Sequence, residues 1–473
     1  MARVARHRFA LQCLAVAALA ALLRLPFLGS IGPDEGGYAY AAWQWASGRG
    51  LYRSVWIDRP QGLLLAYRGL IGIALEPWAI RLGALVAAVA IALLLVAVGT
   101  ELISRRAGVL AGLLFAAVGV GPRIEGFTFN GELAAAAPAT AAVAVALRAR
   151  KAASPLLYLV AGVLAGSALL MKQSGFDGLA VAGALALTAP CRRRASTGCV
   201  VAGALVPVAA SAVAGWRDDW PAYWSGVVWS HAVAVPVDRR LRHLGATASA
   251  PLRDLLVLAV VAALGLVVAR RLPLARLVLP VWVVAAVVGV NLGGLYWPHY
   301  YVQLVPPLAL AAAAALVRLP PVPTWLVAAA VAAPALYFVA HVSLASPTRR
   351  AHLVRYALAF ENDRRIGRYV RAHSSRDDRI YALISRADVY FLARRRAAFR
   401  YLWVHPLRET RSARDALVST LSSPGRPRLV VVFQHPKHDA FGRRVSAALA
   451  AGYRIAWRAP VTGTPVLEST AHR

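Results

Sequence analysis

The sequence predicts a polytopic α-helical membrane protein of about eleven spans, with a small α/β domain at its C-terminus. Three observations predict it. The 473 residues are 59% hydrophobic and only 16% charged, with a mean hydropathy of +0.57, which lies outside the range of soluble domains. Apolar runs close to the length needed to cross a hydrocarbon core of roughly 30 Å recur as far as residue 341. Beyond that point the pattern changes to short stretches of strand and helix character.

The first element is "MARVARHRFALQCLAVAALAALLRLPFLG". It has the basic flank of a signal peptide, but its apolar part is long and no small-x-small cleavage site follows, so it is expected to be a retained first helix. Further runs lie near 78–99, 107–121, 132–147, 156–171, 174–190, 197–215, 252–269, 277–293, 301–317 and 323–341. Their orientation follows from the basic residues between them. If Arg3, Arg6 and Arg8 are cytoplasmic, the inner segments carry "SRR" at 104–106, "RARK" at 148–151, "CRRR" at 191–194, "RRLPLAR" at 270–276 and Arg318. The other set holds the stretch 29–77, "GPRIEGFTFNGE", "MKQSGFD", a long loop over 216–243 and "GGLYWPHYY". Alternation of this kind is the positive-inside pattern. An odd number of spans then places residues 342–473 outside as an extracytoplasmic domain, in which "DRIYALI" and "RLVVVFQ" are expected as buried strands and "RRIGRYVRAHS" and "AFGRRVSAALAAGY" as helices. The membrane domain is expected to cover 1–341, with 29–77 as its first outer loop.

A formal charge of +32 would suit a nucleic-acid binder, but the excess is nearly all arginine amid abundant alanine and valine, so no nucleic-acid partner is expected. Cys13 and Cys199 fall in apolar runs and Cys191 in an arginine-rich loop; no disulfide or metal framework follows. Phosphate-loop, zinc-protease and serine-hydrolase motifs are absent from the sequence, so nucleotide, metal-cluster and hydrolase chemistries find no support.

The polar residues of interest fall on the outer side. Asp34 and Glu35 follow Pro33 and open a helix, where two acids suit the positive end of the helix dipole; a carboxylate held there can also take a proton from an acceptor hydroxyl. Arg59 in "IDRPQG", Lys172 and His299 in "YWPHYY" lie on the same side. Each alone could anchor to headgroups or, for His299 with Tyr296, Trp297, Tyr300 and Tyr301, to the aromatic belt. Together they suit a lipid phosphate, which fixed cations bind through charge-assisted hydrogen bonds. Asn130 and Glu132 add a polar wall at the mouth of another span.

"PDEGGYAYAAWQWASGRGLYRSVWIDRPQG" with "AIRLGALV", then "FTFNGELAAAAPATAAVAV", "LAGSALLMKQSG" and "GGLYWPHYYVQLVPPLALAAA", in that order, resemble glycosyltransferase family 39 of the GT-C superfamily, which includes protein O-mannosyltransferases and lipid A aminoarabinose transferases. The resemblance covers nearly the whole chain. It implies transfer of a sugar from a polyprenyl-phosphate donor, with inversion, to a cell-envelope glycan, lipid or protein. It also implies Asp34 as general base, Glu35 beside it positioning acceptor or sugar, and Arg59, Lys172 and the His299/Tyr300 pair at the donor phosphate. The donor is then a substrate; no resident cofactor is expected and a divalent metal is not indicated. Two departures stand out: "DRPQG" replaces the usual KPPG, and Gly37 stands where tyrosine or a similar residue is common. The alternatives are a glycolipid transporter or flippase, which usually carries ionisable groups near the midplane and internal repeats, and a noncatalytic scaffold, which has no use for the Asp34 pair.

Overall fold

In the computed structural model, residues 2–230, 236–434 and 436–471 are described. Ten helices build the first half: α1 (Ala2–Leu22), α2 (Pro33–Ala46), α3 (Leu51–Ser54), α4 (Gln61–Ile73), α5 (Pro77–Leu102), α6 (Arg105–Val118), α7 (Gly131–Lys151), α8 (Pro155–Met171), α9 (Asp177–Leu187) and α10 (Arg193–Tyr223). Helices Ser249–Ala269, Ala275–Leu292, Val305–Leu316 and Pro321–Leu344 follow. Every apolar run expected to be helical lies on one of these elements. Among the described residues eight helices are long and apolar enough to cross a membrane, and the molecule is a multi-pass membrane protein. Helices α6, α8 and α9 have 14, 17 and 11 residues, short of a full span of about 20.

Local chemistry sets the helix starts. Proline occupies the first turn of α2, α5 and α8, where its missing N–H is not needed. Ser104, Asn130 and Ser154 cap α6, α7 and α8 through their side-chain oxygens. Between α8 and α10 the packing depends on small residues: a Cβ on Gly162 would come within 3.0 Å of the Ala204 nitrogen, and one on Gly203 within 3.0 Å of the Val163 nitrogen. Close backbone approach of this kind is how helices associate where the hydrophobic effect is weak.

Hydrogen bonds and ion pairs sort the connections into two ends of the bundle. At one end Lys151 pairs with Glu101 (2.9 Å), Arg150 donates to Leu185 O and Thr188 Oγ1, and Arg106 donates to Thr324 Oγ1 (2.9 Å). At the other, the buried Arg24 guanidinium donates to Gly126 O (2.9 Å), Gln173 to Asp58 O and Val227 O, and Gln303 to Ser174 O. The arginine-rich connections thus gather at the first end and the aromatic, acid-bearing ones at the second.

The expected long loop over 216–243 is largely helical instead. Helix α10 runs on to Tyr223, breaking only at Asp219 (φ −162°, ψ 91°). There the Asp219 carboxylate accepts from the Ala222 N–H (3.1 Å) and caps a new turn, so Pro221 sits where a proline is tolerated. A π-turn over Trp224–Trp229 and a helix Val237–His243 follow; residues 231–235 of the expected loop lie outside the described residues. The stretch 29–77, too, is mostly helix, as α2, α3 and α4.

Past residue 346 five strands, β1 (Arg379–Leu383), β2 (Arg396–Ala397), β3 (Leu429–Val432), β4 (Tyr453–Arg458) and β5 (Pro465–Ser469), form one sheet in the order β2-β1-β3-β5-β4. Strand β1 is parallel to β2 and β3, and β5 is antiparallel to β3 and β4. "LVVV" in β3 is buried throughout, as a run without alternation requires. Helices Ala357–Ala372, Arg411–Ser422 and Ala440–Gly452 cover the sheet. The packed core does not stop at the sheet: one buried cluster includes Val16, Tyr38, Tyr40, Tyr390 and Val431, so the C-terminal elements and the first connection share it.

Candidate active site

Helix α2 organises the site, and its first turn divides the acidic pair. Consecutive residues of a helix point about 100° apart. Asp34 is therefore exposed while Glu35 is 3% exposed. Glu35 Oε2 accepts from the Gly32 N–H (2.8 Å) and pairs with Arg81 of α5 (2.9 Å), and Oε1 accepts from the Phe129 N–H (2.8 Å). Arg81 also donates to Phe127 O (2.6 Å), and the Tyr67 hydroxyl to Phe129 O (2.5 Å). Burial pushes the Glu35 carboxyl up, opposed by Arg81 and the two backbone donors. These contacts fix α2 to α5 and to the segment 126–130. Asn130 likewise serves its helix: its oxygen caps α7 at Leu133 N (3.0 Å) and its amide donates to Thr128 Oγ1 (2.8 Å).

The Asp34 carboxylate makes one hydrogen bond among the described residues, to the Trp403 indole N–H (2.9 Å). Tyr38, one turn along α2, reports what surrounds it. Burial raises its phenol well above the usual range; Arg59 lowers it, and Asp58, Asp34 and Glu132 raise it. Asp34, Asp58, Arg59 and Glu132 therefore share one neighbourhood. Arg59 is 9% exposed, pairs with Asp58 (2.6 Å) and stands over the Tyr38 ring (5.7 Å). Burial acts to discharge it, but Asp58, Tyr38 and Glu132 hold it cationic above its ordinary value. Its Nε is buried with no partner among the described residues.

Lys172, directly after α8, is 7% exposed; it pairs with Glu132 of α7 and its ammonium lies 4.1 Å from the Tyr300 ring centre. His299 stands between two carboxylates, with Nδ1 3.4 Å from Glu125 and Nε2 4.0 Å from Glu132. Arg355 pairs with Glu125 from the other side (2.9 Å) and lies over the Trp297 and Tyr356 rings. Glu125 is buried, which alone would raise it, yet His299 and Arg355 hold it below the ordinary carboxyl range.

All the residues singled out from the sequence thus come to the same end of the bundle, from five separate segments. Four were missed. Arg81 carried a usable signal, a charge inside an apolar run. Glu125 lay unremarked in "GPRIEGF", and Arg355 and Trp403 sit in the C-terminal part with no local pattern to mark them. Cations, carboxylates and aromatic faces set together at a bundle end can bind an anionic headgroup and offer one exposed carboxylate to a proton donor.

No protein-family model and no curated protein sequence matches the chain. Solved structures do match. The crystal structure of ArnT from Cupriavidus metallidurans bound to undecaprenyl phosphate aligns over 99% of this chain and 98% of its own, with 16% identity and a TM-score of 0.65. The apo state of the same protein aligns over 99% of both chains, with 15% identity and a TM-score of 0.64. The archaeal oligosaccharyltransferase AglB from Archaeoglobus fulgidus, in complex with an inhibitory peptide and a dolichol-phosphate, covers 90% of this chain and is covered over 69% of its own, with 11% identity and a TM-score of 0.50. The chain shares the fold of these proteins.

Proposed function

We propose that this protein is a membrane glycosyltransferase that moves a sugar, hexose or pentose, from a polyprenyl-phosphate donor to a hydroxyl of an extracytoplasmic glycan, lipid or protein. The observation that carries this reading is the pair of buried cations, Arg59 over Tyr38 and Lys172 over Tyr300, at the same end of the bundle as the exposed Asp34, in a fold shared with a protein solved with undecaprenyl phosphate. The acceptor oxygen attacks the anomeric carbon from the face opposite the phosphate. As the new C–O bond forms, the bond to the phosphate oxygen breaks with inversion, and the hydroxyl proton passes to Asp34. A phosphodiester monoanion becomes a phosphate monoester dianion, so one negative charge develops on the leaving group. Fixed cations are worth most where charge develops. Arg59 has a spare N–H for that oxygen; Lys172 and the His299/Tyr300 pair would complete the phosphate site, and no resident cofactor is called on.

The sided charges of the loops favour the orientation that goes with this chemistry: arginine-rich loops and N-terminus in the cytoplasm, eleven helices crossing, and site and C-terminal α/β domain outside. The test is direct. Purified protein in lipid is given a panel of polyprenyl-phosphate sugars, and free polyprenyl phosphate is measured. Wild type releases it and Asp34→Asn does so about 10²–10⁴-fold more slowly. A wild type that consumes no donor, or an Asp34→Asn variant that keeps pace with it, refutes the proposal. Arg59→Ala should raise the donor concentration needed for half-maximal rate, and an unchanged donor dependence removes Arg59 from the phosphate site.

A further inference from the structure

The C-terminal part reaches into the site at one point, Trp403. Its indole N–H donates to Asp34 Oδ1 (2.9 Å), and its ring packs against Tyr38 with ring centres 5.8 Å apart. The Asp34 carboxylate makes no other hydrogen bond among the described residues, so Oδ2 is left to take a proton. We infer that Trp403 is a positioning residue: it holds the Asp34 carboxylate by one oxygen and aims the other at the acceptor hydroxyl. This rests on the function proposed above.

The sequence of α2 is built to admit it. A Cβ on Gly37 would lie 2.6 Å from Trp403 Cζ2 and 2.7 Å from Ala387 Cβ, and one on Gly36 would lie 2.5 Å from the Asp388 Cα. Contacts under 3 Å against backbone or ring carbons cannot be relieved by a flexible side chain. The two glycines give the C-terminal elements a flat seat one turn from Asp34, and the indole fills the space a side chain at 37 would take. The seat is secured around Trp403: the Tyr40 hydroxyl accepts from Ala397 N–H (2.7 Å), the Trp56 backbone N–H donates to Arg400 O (2.9 Å), and Arg400 donates to Tyr52 O (2.8 Å).

Trp403→Phe deletes the N–H while keeping an aromatic ring beside Tyr38, and the amide-exchange control below separates that loss from the smaller ring's loss of packing. In full-length protein, with amide exchange of residues 33–46 and the donor KM both unchanged, kcat should fall about tenfold or more, the effect of losing one hydrogen bond to a charged group. Gly37→Ala, which displaces the indole, should give a similar loss, and the double variant should be no worse than the more damaged single one, since both act through one contact. An unchanged kcat in Trp403→Phe overturns the inference. So does a loss of kcat accompanied by loss of amide protection over 33–46, which would make the role structural only. A second readout needs no turnover: the indole 15N–1H resonance assigned by its disappearance in Trp403→Phe should move on Asp34→Asn. If it moves while wild type consumes no donor, the function proposed above fails and the Trp403–Asp34 pairing stands; if it does not move, the pairing itself is refuted.

Discussion

At the scale of single residues, the site is a set of buried charges that survive by being paired. Lys172 and Glu132 are 7% and 2% exposed. Removing one partner of such a pair leaves an uncompensated buried charge and costs about 3–5 kcal/mol, whereas replacing both by apolar groups is often neutral. Lys172→Met should therefore lower thermal stability much more than Lys172→Met with Glu132→Leu, as a melting series in detergent would show. Glu125 gives a pH dependence. His299 and Arg355 hold its folded-state pKa below the ordinary value of 4.5 in spite of burial. A depressed carboxyl pKa contributes stability that is fully present above the unfolded value and is lost as pH falls through the folded one. Melting temperature should thus decline as pH drops below about 4.5, and Glu125→Gln should flatten that decline; an equal slope in both proteins would count against the network. In the sequence, Lys172, Glu132 and His299 were visible as charges at span ends. Which of them pair was not, nor was the bond from Arg355 to Glu125, because its two members lie 230 residues apart and nothing local encodes such a distance.

At the scale of elements, α2 was legible as a helix beginning at Pro33 with two acids in its first turn. Its two carboxylates were not separable by composition; the fold separates them by turning one towards solvent and the other towards α5. Glu35→Ala would strand Arg81, 3% exposed, and free the Gly32 and Phe129 N–H groups, so a loss of about 3–5 kcal/mol is expected. It should show as faster amide exchange over 32–37 and 126–130 in particular; uniform exchange across the bundle would contradict a local anchor. The stretch 216–243 was misjudged for a definable reason. Pro221 and Pro236 signal breaks, but Asp219 caps a fresh turn just ahead of Pro221, converting a helix stop into a helix start. The strands β1 and β3 were readable as short apolar runs. β4 was not, since Arg454, Ile455 and Ala456 are all exposed and supply no alternation.

At the scale of the molecule, the apolar runs and the sided arginines predicted a bundle with two unlike ends, and the structure has them. What the sequence could not carry was the seating of the C-terminal elements on α2, since their shared core draws on Tyr38, Tyr40 and Tyr390 from opposite ends of the chain. A chain ended after residue 346 would leave the flat glycine face of α2 and the buried Tyr40 uncovered. It should aggregate or run as a broad peak on size exclusion where the full chain is monodisperse. A reporter fused to the C-terminus should be active only outside the cytoplasm; cytoplasmic activity would mean the number of crossings is even. The hydrogen bond from Trp403 to Asp34 spans 369 residues, and this has a consequence for biogenesis. The ribosome delivers Asp34 among the first residues to cross and Trp403 near the last, roughly 20–70 s later at ordinary elongation rates. Under the function proposed above, the base stays unaimed throughout that interval, so turnover should reach its full rate only once residue 403 has been delivered and seated.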